Sequence, residues 1–286
     1  MDERSWDIVV EGNDKRTKLD LKGLRKCRYL VFLLVRRTFV AQFKQTILGP
    51  AWAVIQPFFT TVVYSVFFGN IAGLGASGVP NFIFYLCATV IWTLFANCLT
   101  STSDTFIGNS SILGKVYFPR LVMPISIALS QLISFVIVYG FMIIFLVFYT
   151  ITGAGVAPNL YILLTPLVIL QTTVLGMSFG MIVSALTTKY RDLKMVVSFG
   201  VTLWSYCSPV AYDMFSRASL MPGSRIYPLY MLNPMTPIVN FFRYAYLGTG
   251  EIDWLFYGIS WGITIIVCFI GIRLFSKVEK NFMDTV

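Results

Sequence analysis

Four stretches of the chain carry no Asp, Glu, Lys or Arg: residues 45–103, 121–188, 195–212 and 254–272. A bilayer-spanning helix needs about 20 apolar residues, so each of the first two stretches holds two spans and each of the last two holds one. Turn formers divide the long stretches where that reading needs a break, at Gly73 to Asn81 and at Gly153 to Asn159. The pattern predicts an all-α integral membrane protein with six transmembrane helices, at about 50–70, 81–99, 121–149, 161–186, 195–212 and 254–275, within a domain spanning 47–276.

The segments between and around the spans read differently. Residues 1–20 are polar, of mixed charge and without periodicity, which predicts a loosely held tail. Over 21–46, Leu24, Cys27, Val31, Leu34, Val35 and Thr38 recur at helical spacing while the basic residues fall largely off that stripe, which predicts an amphipathic helix lying on the membrane surface. Residues 104–119 are too polar to cross and predict a short surface helix that Pro119 ends. Residues 226–245 hold Pro228, Pro234 and Pro237, which a continuous crossing would not accept, so a re-entrant pair of short helices is expected between spans five and six. Residues 277–286, which open on Lys277 and Lys280, read as a C-terminal tail.

Two internal features keep alternative readings. Pro57, inside span one, is either a plain kink or part of a gate. Gly176, Gly180 and Ser184 recur four apart on span four and mark either close packing within one chain or a dimer seam.

Composition fits this outline, with 57% hydrophobic and 12% charged residues against roughly 25% charged in soluble domains. All but three of the 22 Lys and Arg residues fall in the N-terminal segment, after span two, after span four or after span six; the exceptions are Arg217, Arg225 and Arg243. By the positive-inside bias both termini are cytoplasmic, and the net charge of +9 marks topology and membrane lipids rather than nucleic acid.

The absent chemistry is equally informative. The predicted spans hold no acidic residue and no basic one but Arg273 at the end of span six, and the chain has no His, so a proton relay and His-based catalysis both lack carriers. Gly108 to Lys115 imitates a phosphate-binding loop, but five residues separate its glycines and Val116 replaces the needed Ser or Thr. Five scattered cysteines suggest neither metal site nor disulfide. The chain carries no ATP-binding loop of its own, so the energy for any active transport must arrive through another chain.

The stretch Arg37-Thr38-Phe39-Val40-Ala41-Gln42-Phe43-Lys44-Gln45-Thr46-Ile47-Leu48-Gly49-Pro50-Ala51-Trp52-Ala53-Val54-Ile55-Gln56-Pro57 closely resembles the start of the membrane domain in ABC-2 type polysaccharide exporters, the permeases for O-antigen, teichoic acid and capsule. The Tyr190-Arg191-Asp192 turn and Leu232-Asn233-Pro234-Met235-Thr236-Pro237 resemble the same family, which often has Arg-Tyr where this chain has Gln42-Phe43. The resemblance implies a homodimer with two copies of an ABC ATPase, in the bacterial inner membrane. ATP and Mg2+ would sit on the partner, and no cofactor on this chain. The substrate would be a polyprenyl-diphosphate-linked polysaccharide, most simply O-antigen; teichoic acid, capsule, a drug or a small lipid are the alternatives.

On that resemblance, 104–119 would be the coupling helix, with Asp104, Lys115, Arg120, Arg191 and Asp192 at the ATPase contact; the competing reading is solvated charges that mark topology. Arg25, Arg36, Arg37 and Lys44 would meet the lipid diphosphate, or else anchor the surface helix. Trp52, Phe58, Phe59, Tyr64, Trp92 and Phe95 are the pore aromatics for stacking sugars, or else part of the interfacial belt.

Overall fold

The computed structural model describes residues 27–44, 46–76, 78–109, 119, 121–187, 192–216 and 221–282. The described residues form helices joined by turns: α1 (Arg28–Phe43), α2 (Trp52–Val63), α3 (Asn81–Ser103), α4 (Thr105–Gly108), α5 (Val122–Ile151), α6 (Thr165–Thr187), α7 (Leu193–Tyr206), α8 (Tyr227–Met231), α9 (Met235–Leu247) and α10 (Trp254–Phe282). A 3-10 turn at Gly49–Ala51 leads into α2, and a π-helical stretch, Tyr64–Ile71, continues it. Pro50 stands at the start of that composite helix, where a missing N–H leaves no bond unmade.

Five helical stretches are long and apolar enough to cross a membrane: Gly49–Ile71, Asn81–Ser103, Val122–Ile151, Leu160–Thr187 and Trp254–Val278. They coincide with predicted spans one to four and six. The expected fifth span is shorter than its charge-free run. Helix α7 ends at Tyr206, and 14 residues rise only about 21 Å against a hydrocarbon core of about 30 Å. Pro209 lacks the N–H a continuing helix needs, and the chain turns there, with the Val210 N–H bonded to the Ser208 carbonyl at 2.7 Å.

The three prolines of 226–245 all stand at helix beginnings. Pro228 is in the first turn of α8, Pro234 is the N-cap of α9, and Pro237 lies in the first turn of α9. Gly248, at φ +71°, ends α9 in the left-handed conformation that glycine adopts without strain. Helix α9 is almost wholly buried and is pinned from several sides. The Tyr246 hydroxyl bonds to Thr165 (2.8 Å) and to the Tyr139 hydroxyl, while Asn233, just before α9, receives the Trp204 indole N–H (3.0 Å) and donates to the Cys207 carbonyl (3.1 Å).

Helix α3 is the central element, buried along most of its length and packed against α2, α5, α6 and α9. Glycine permits the closest approach. A Cβ at Gly176 would lie 2.8 Å from the Phe95 carbonyl oxygen, and one at Gly180 would lie 2.7 Å from that of Leu99, so the α6 glycines meet α3 of the same chain. Gly271 of α10 approaches the other side of α6 in the same way, 2.8 Å from the Ser178 carbonyl oxygen.

A second apolar cluster, Leu34, Phe106, Val122, Met123, Met181 and Phe275, gathers α1, α4, the start of α5, and the far ends of α6 and α10 at one end of the bundle. This is the basic end, carrying Arg36, Arg37, Lys194, Arg273 and Lys277 among the described residues. The opposite end is closed by loops. Ala157 N–H bonds to the Leu247 carbonyl (3.2 Å), Asp213 N–H to that of Leu74 (2.8 Å), and the Tyr227 hydroxyl donates to Asp253 (3.0 Å). Burial, together with the Asp253 carboxylate, pushes the Tyr227 phenol above its ordinary pKa, so it stays a donor throughout the neutral range.

Candidate substrate cleft and basic-end contact

A cleft of about 610 Å3 opens between the end of α1, the start of α2, and the facing stretches of α3 and α5. Its polar wall is Gln42, Thr46, Gln56, Thr93, Asn97, Gln131 and Ser134; Trp52, Phe43 and Phe135 add aromatic surface. These residues meet because each helix brings one helical repeat to the same place: Thr93 and Asn97 are four apart on α3, and Gln131, Ser134 and Val138 follow the same stripe of α5. Pro57 is buried in the wall and cannot donate to the carbonyl of Ala53, which also lines the cleft.

The rim is fixed by a turn in which the Thr46 hydroxyl donates to the Phe43 carbonyl (2.8 Å). Deeper in, the Gln131 amide donates to Ser101 (3.1 Å), but Gln131 Oε1 and Ser134 Oγ are buried with no partner among the described residues. Unpaired polar groups among apolar spans are costly, so this wall is built to receive hydrogen bonds.

Only Trp52, half exposed, lies in the cleft among the six expected pore aromatics. Phe59 is 61% exposed on an outward face of α2, and Phe58 is packed between helices against Phe82 and Phe141, each with ring centroids 6.0 Å away. Tyr64 packs on Phe68 and Tyr85. The structure corrects the expectation for the α3 pair: Trp92 is 8% and Phe95 0% exposed, both in a buried aromatic cluster with Trp204, so neither offers a free ring face here. Helical periodicity alone did not separate the buried face of α3 from an open one.

The candidate diphosphate contacts Arg36, Arg37 and Lys44 are exposed, on α1 and at its end, and Arg25 lies outside the described residues. Of the five candidate coupling residues, Lys115, Arg120 and Arg191 also lie outside them, as do residues 110–118 of the coupling segment. Asp192 is exposed beside the first turn of α7, and Asp104 is half-buried between α3 and α4. Asp104 does not stand alone: its Oδ2 lies 3.0 Å from Lys194 Nζ, and the Thr187 hydroxyl donates to the Ser103 carbonyl (3.3 Å). The two loops expected at an ATPase contact thus meet each other, and Lys194 is the member that sequence reasoning passed over.

This pair is partly solvated, so its loss costs stability no more than about 1 kcal/mol. A part in coupling, as the resemblance implies for Asp104, would instead be read in export. The Asp104→Lys variant is expected to reduce export severalfold at unchanged abundance, with Asp104→Lys combined with Lys194→Asp recovering most of it. Export rates in cells carrying the single and double variants check this, and equal loss in both would remove the pair from the coupling path.

The sequence profile of the ABC-2 type transporter family matches residues 29–247. An O-antigen export system permease protein RfbA from Klebsiella pneumoniae is 25% identical over 257 residues, covering 89% of this chain and 94% of the relative. A second protein of that name from the same organism is 25% identical over 271 residues, with coverages of 93% and 99%. One from Myxococcus xanthus is 25% identical over 224 residues, covering 78% of this chain and 82% of the relative. With its apolar helices and a profile match running from α1 to the end of α9, the chain belongs to the ABC-2 type transporter membrane family.

Proposed function

We propose that this chain is the permease subunit of an ABC exporter that carries a lipid-linked cell-surface polysaccharide, O-antigen in the first instance, out of the cytoplasm across the inner membrane. The observation that carries the reading is the likeness, over 89% and 93% of the chain, to two permeases named for O-antigen export. The transporter in this reading is two copies of the chain with two ATPase subunits, which hold the ATP and Mg2+. Outward apolar faces suit the dimer: Phe59, Val63 and Phe67 on the first crossing, and Met195, Phe199 and Leu203 on α7, are all exposed in the single chain.

The basic end faces the cytoplasm and α7, continued by residues 207–212, makes the sixth crossing, with α8 and α9 as the re-entrant pair on the outer side. Closure of the ATPases then acts on the spans through 104–119 and the turn before α7, shifting the equilibrium between resting and open states. The basic residues of α1 meet the lipid diphosphate. Deleting the gene is expected to remove the surface polymer and to accumulate polyprenyl-linked intermediates inside the cell. Normal surface polymer in the deletion strain refutes the reading.

A further inference from the structure

The cleft described above has a chemistry of its own. Among the described residues none of its lining side chains is charged, so a diphosphate or an acidic sugar finds no counter-ion inside it. What it offers is amide and hydroxyl groups facing aromatic surface, the combination that takes the hydroxyls and the C–H face of a sugar ring. Its volume, about 610 Å3, lies within the range of ligand sites.

Depth matters as much as composition. Asn97 is six residues before the end of α3 and Ser134 twelve after the start of α5, which sets them roughly 10–20 Å above the basic end. Gln131 is 6% and Ser134 4% exposed, yet Gln131 Oε1 and Ser134 Oγ have no partner among the described residues. Lys44, exposed, directly follows rim residue Phe43, which places a cation outside the uncharged cavity rather than within it.

We propose that this cleft is a sugar-binding site contained within one protomer, holding an uncharged sugar unit of the lipid-linked chain in the inner half of the membrane while the cations of α1 hold the phosphates. The inference rests on the export reading, and it assigns Asn97, Gln131 and Ser134 as hydrogen-bonding residues and Trp52 as the stacking surface at the rim.

A photo-crosslinking experiment in the producing cell tests it. A benzophenone side chain is placed by suppression at Thr93, inside the cleft, at the exposed Phe59 of α2 outside it, or at the exposed Val136 of α5 as a membrane-facing control. Ultraviolet adducts at position 93 are expected to stain for glycan, to disappear in a strain unable to begin the polymer, and to be absent at position 136. Glycan adducts at Phe59 with none at position 93, or phospholipid adducts alone at position 93, overturn the cleft site and leave the export reading standing. Normal surface polymer after gene deletion overturns both.

A second measurement separates binding from support. Gln131→Leu removes a buried unpaired carbonyl oxygen together with the hydrogen bond to Ser101, two opposing changes, so thermal stability in detergent is expected to change little while export falls about tenfold. A loss of stability in step with export would assign Gln131 a structural part and count against the site.

Discussion

Valine at Gly180 is expected to prevent assembly of the helical bundle, with little or no folded protein recovered from membranes. A Cβ at this position would lie 2.5 Å from Thr102 Cβ and 2.7 Å from the Leu99 carbonyl oxygen. The second obstacle is backbone of the central helix, which cannot rotate aside as a side chain can. Overpacking in cores costs typically 1–3 kcal/mol, and a clash with backbone belongs at or above the top of that range, about 3 kcal/mol. Alanine at Gly180 should already lower the thermal midpoint. Alanine at Gly140 is the contrast: nothing lies within 4 Å of its would-be Cβ, so the change should be neutral or stabilising by about 0.5–1 kcal/mol. Thermal unfolding of the detergent-solubilised variants checks the pair, and equal behaviour of Gly140→Ala and Gly180→Ala would refute the packing argument.

The next largest effect is expected at Arg243, a charged residue only 3% exposed. It donates from Nη2 to the Val210 carbonyl (3.0 Å) and from Nη1 to that of Tyr212 (3.2 Å), and its guanidinium lies 3.7 Å from the Phe84 ring centroid. One side chain thereby ties the turn after α7 to α9 and to the top of α3. Arg243→Ala takes the donor from the buried Val210 carbonyl and the part-buried Tyr212 carbonyl and removes the stack on Phe84, a loss on the order of 3 kcal/mol. Arg243→Lys keeps the charge but cannot present two parallel donors or a flat face, so it should recover only part of the loss. Hydrogen exchange across 207–216 is the direct readout: faster exchange there in Arg243→Ala than at the basic end is expected, and uniform change would refute a local brace.

Much of the architecture was legible in the residues. Runs without charge located five long helices to within a few residues, and the prolines of 226–245 correctly barred a continuous helix there, because bilayer thickness and proline chemistry are local constraints. Of the segment 21–46 expected to be helical, Arg28–Phe43 forms α1, and Leu34 and Val35 of the expected stripe are its buried positions. The same logic overran α7, where a charge-free run continued past a proline turn that ended the helix.

The candidate site was less legible. Trp52 was in view because aromatics stand out, whereas Gln131, Asn97 and Ser134 are uncharged residues inside apolar runs and do little to lower mean hydropathy. Their spacing was the available signal: polar side chains recurring on one stripe of α5 and on one of α3 mark faces that do not meet lipid. Lys194 and Arg243 read as topology markers and proved to be an ion-pair partner and a buried brace.

The sequence by itself determined that the chain crosses a membrane, where its long helices lie, which end is basic, and the family whose motifs it carries. Only the tertiary structure decided which helix is central, that Gly176 and Gly180 of α6 meet α3 within one chain, that Trp92 and Phe95 are buried, and that four helix faces enclose an uncharged polar cleft. The physical reason is that lipid tails are as apolar as leucine, so a residue facing lipid and one facing another helix look alike in composition. What separates them is the geometry of contact, and that exists only once the helices have packed.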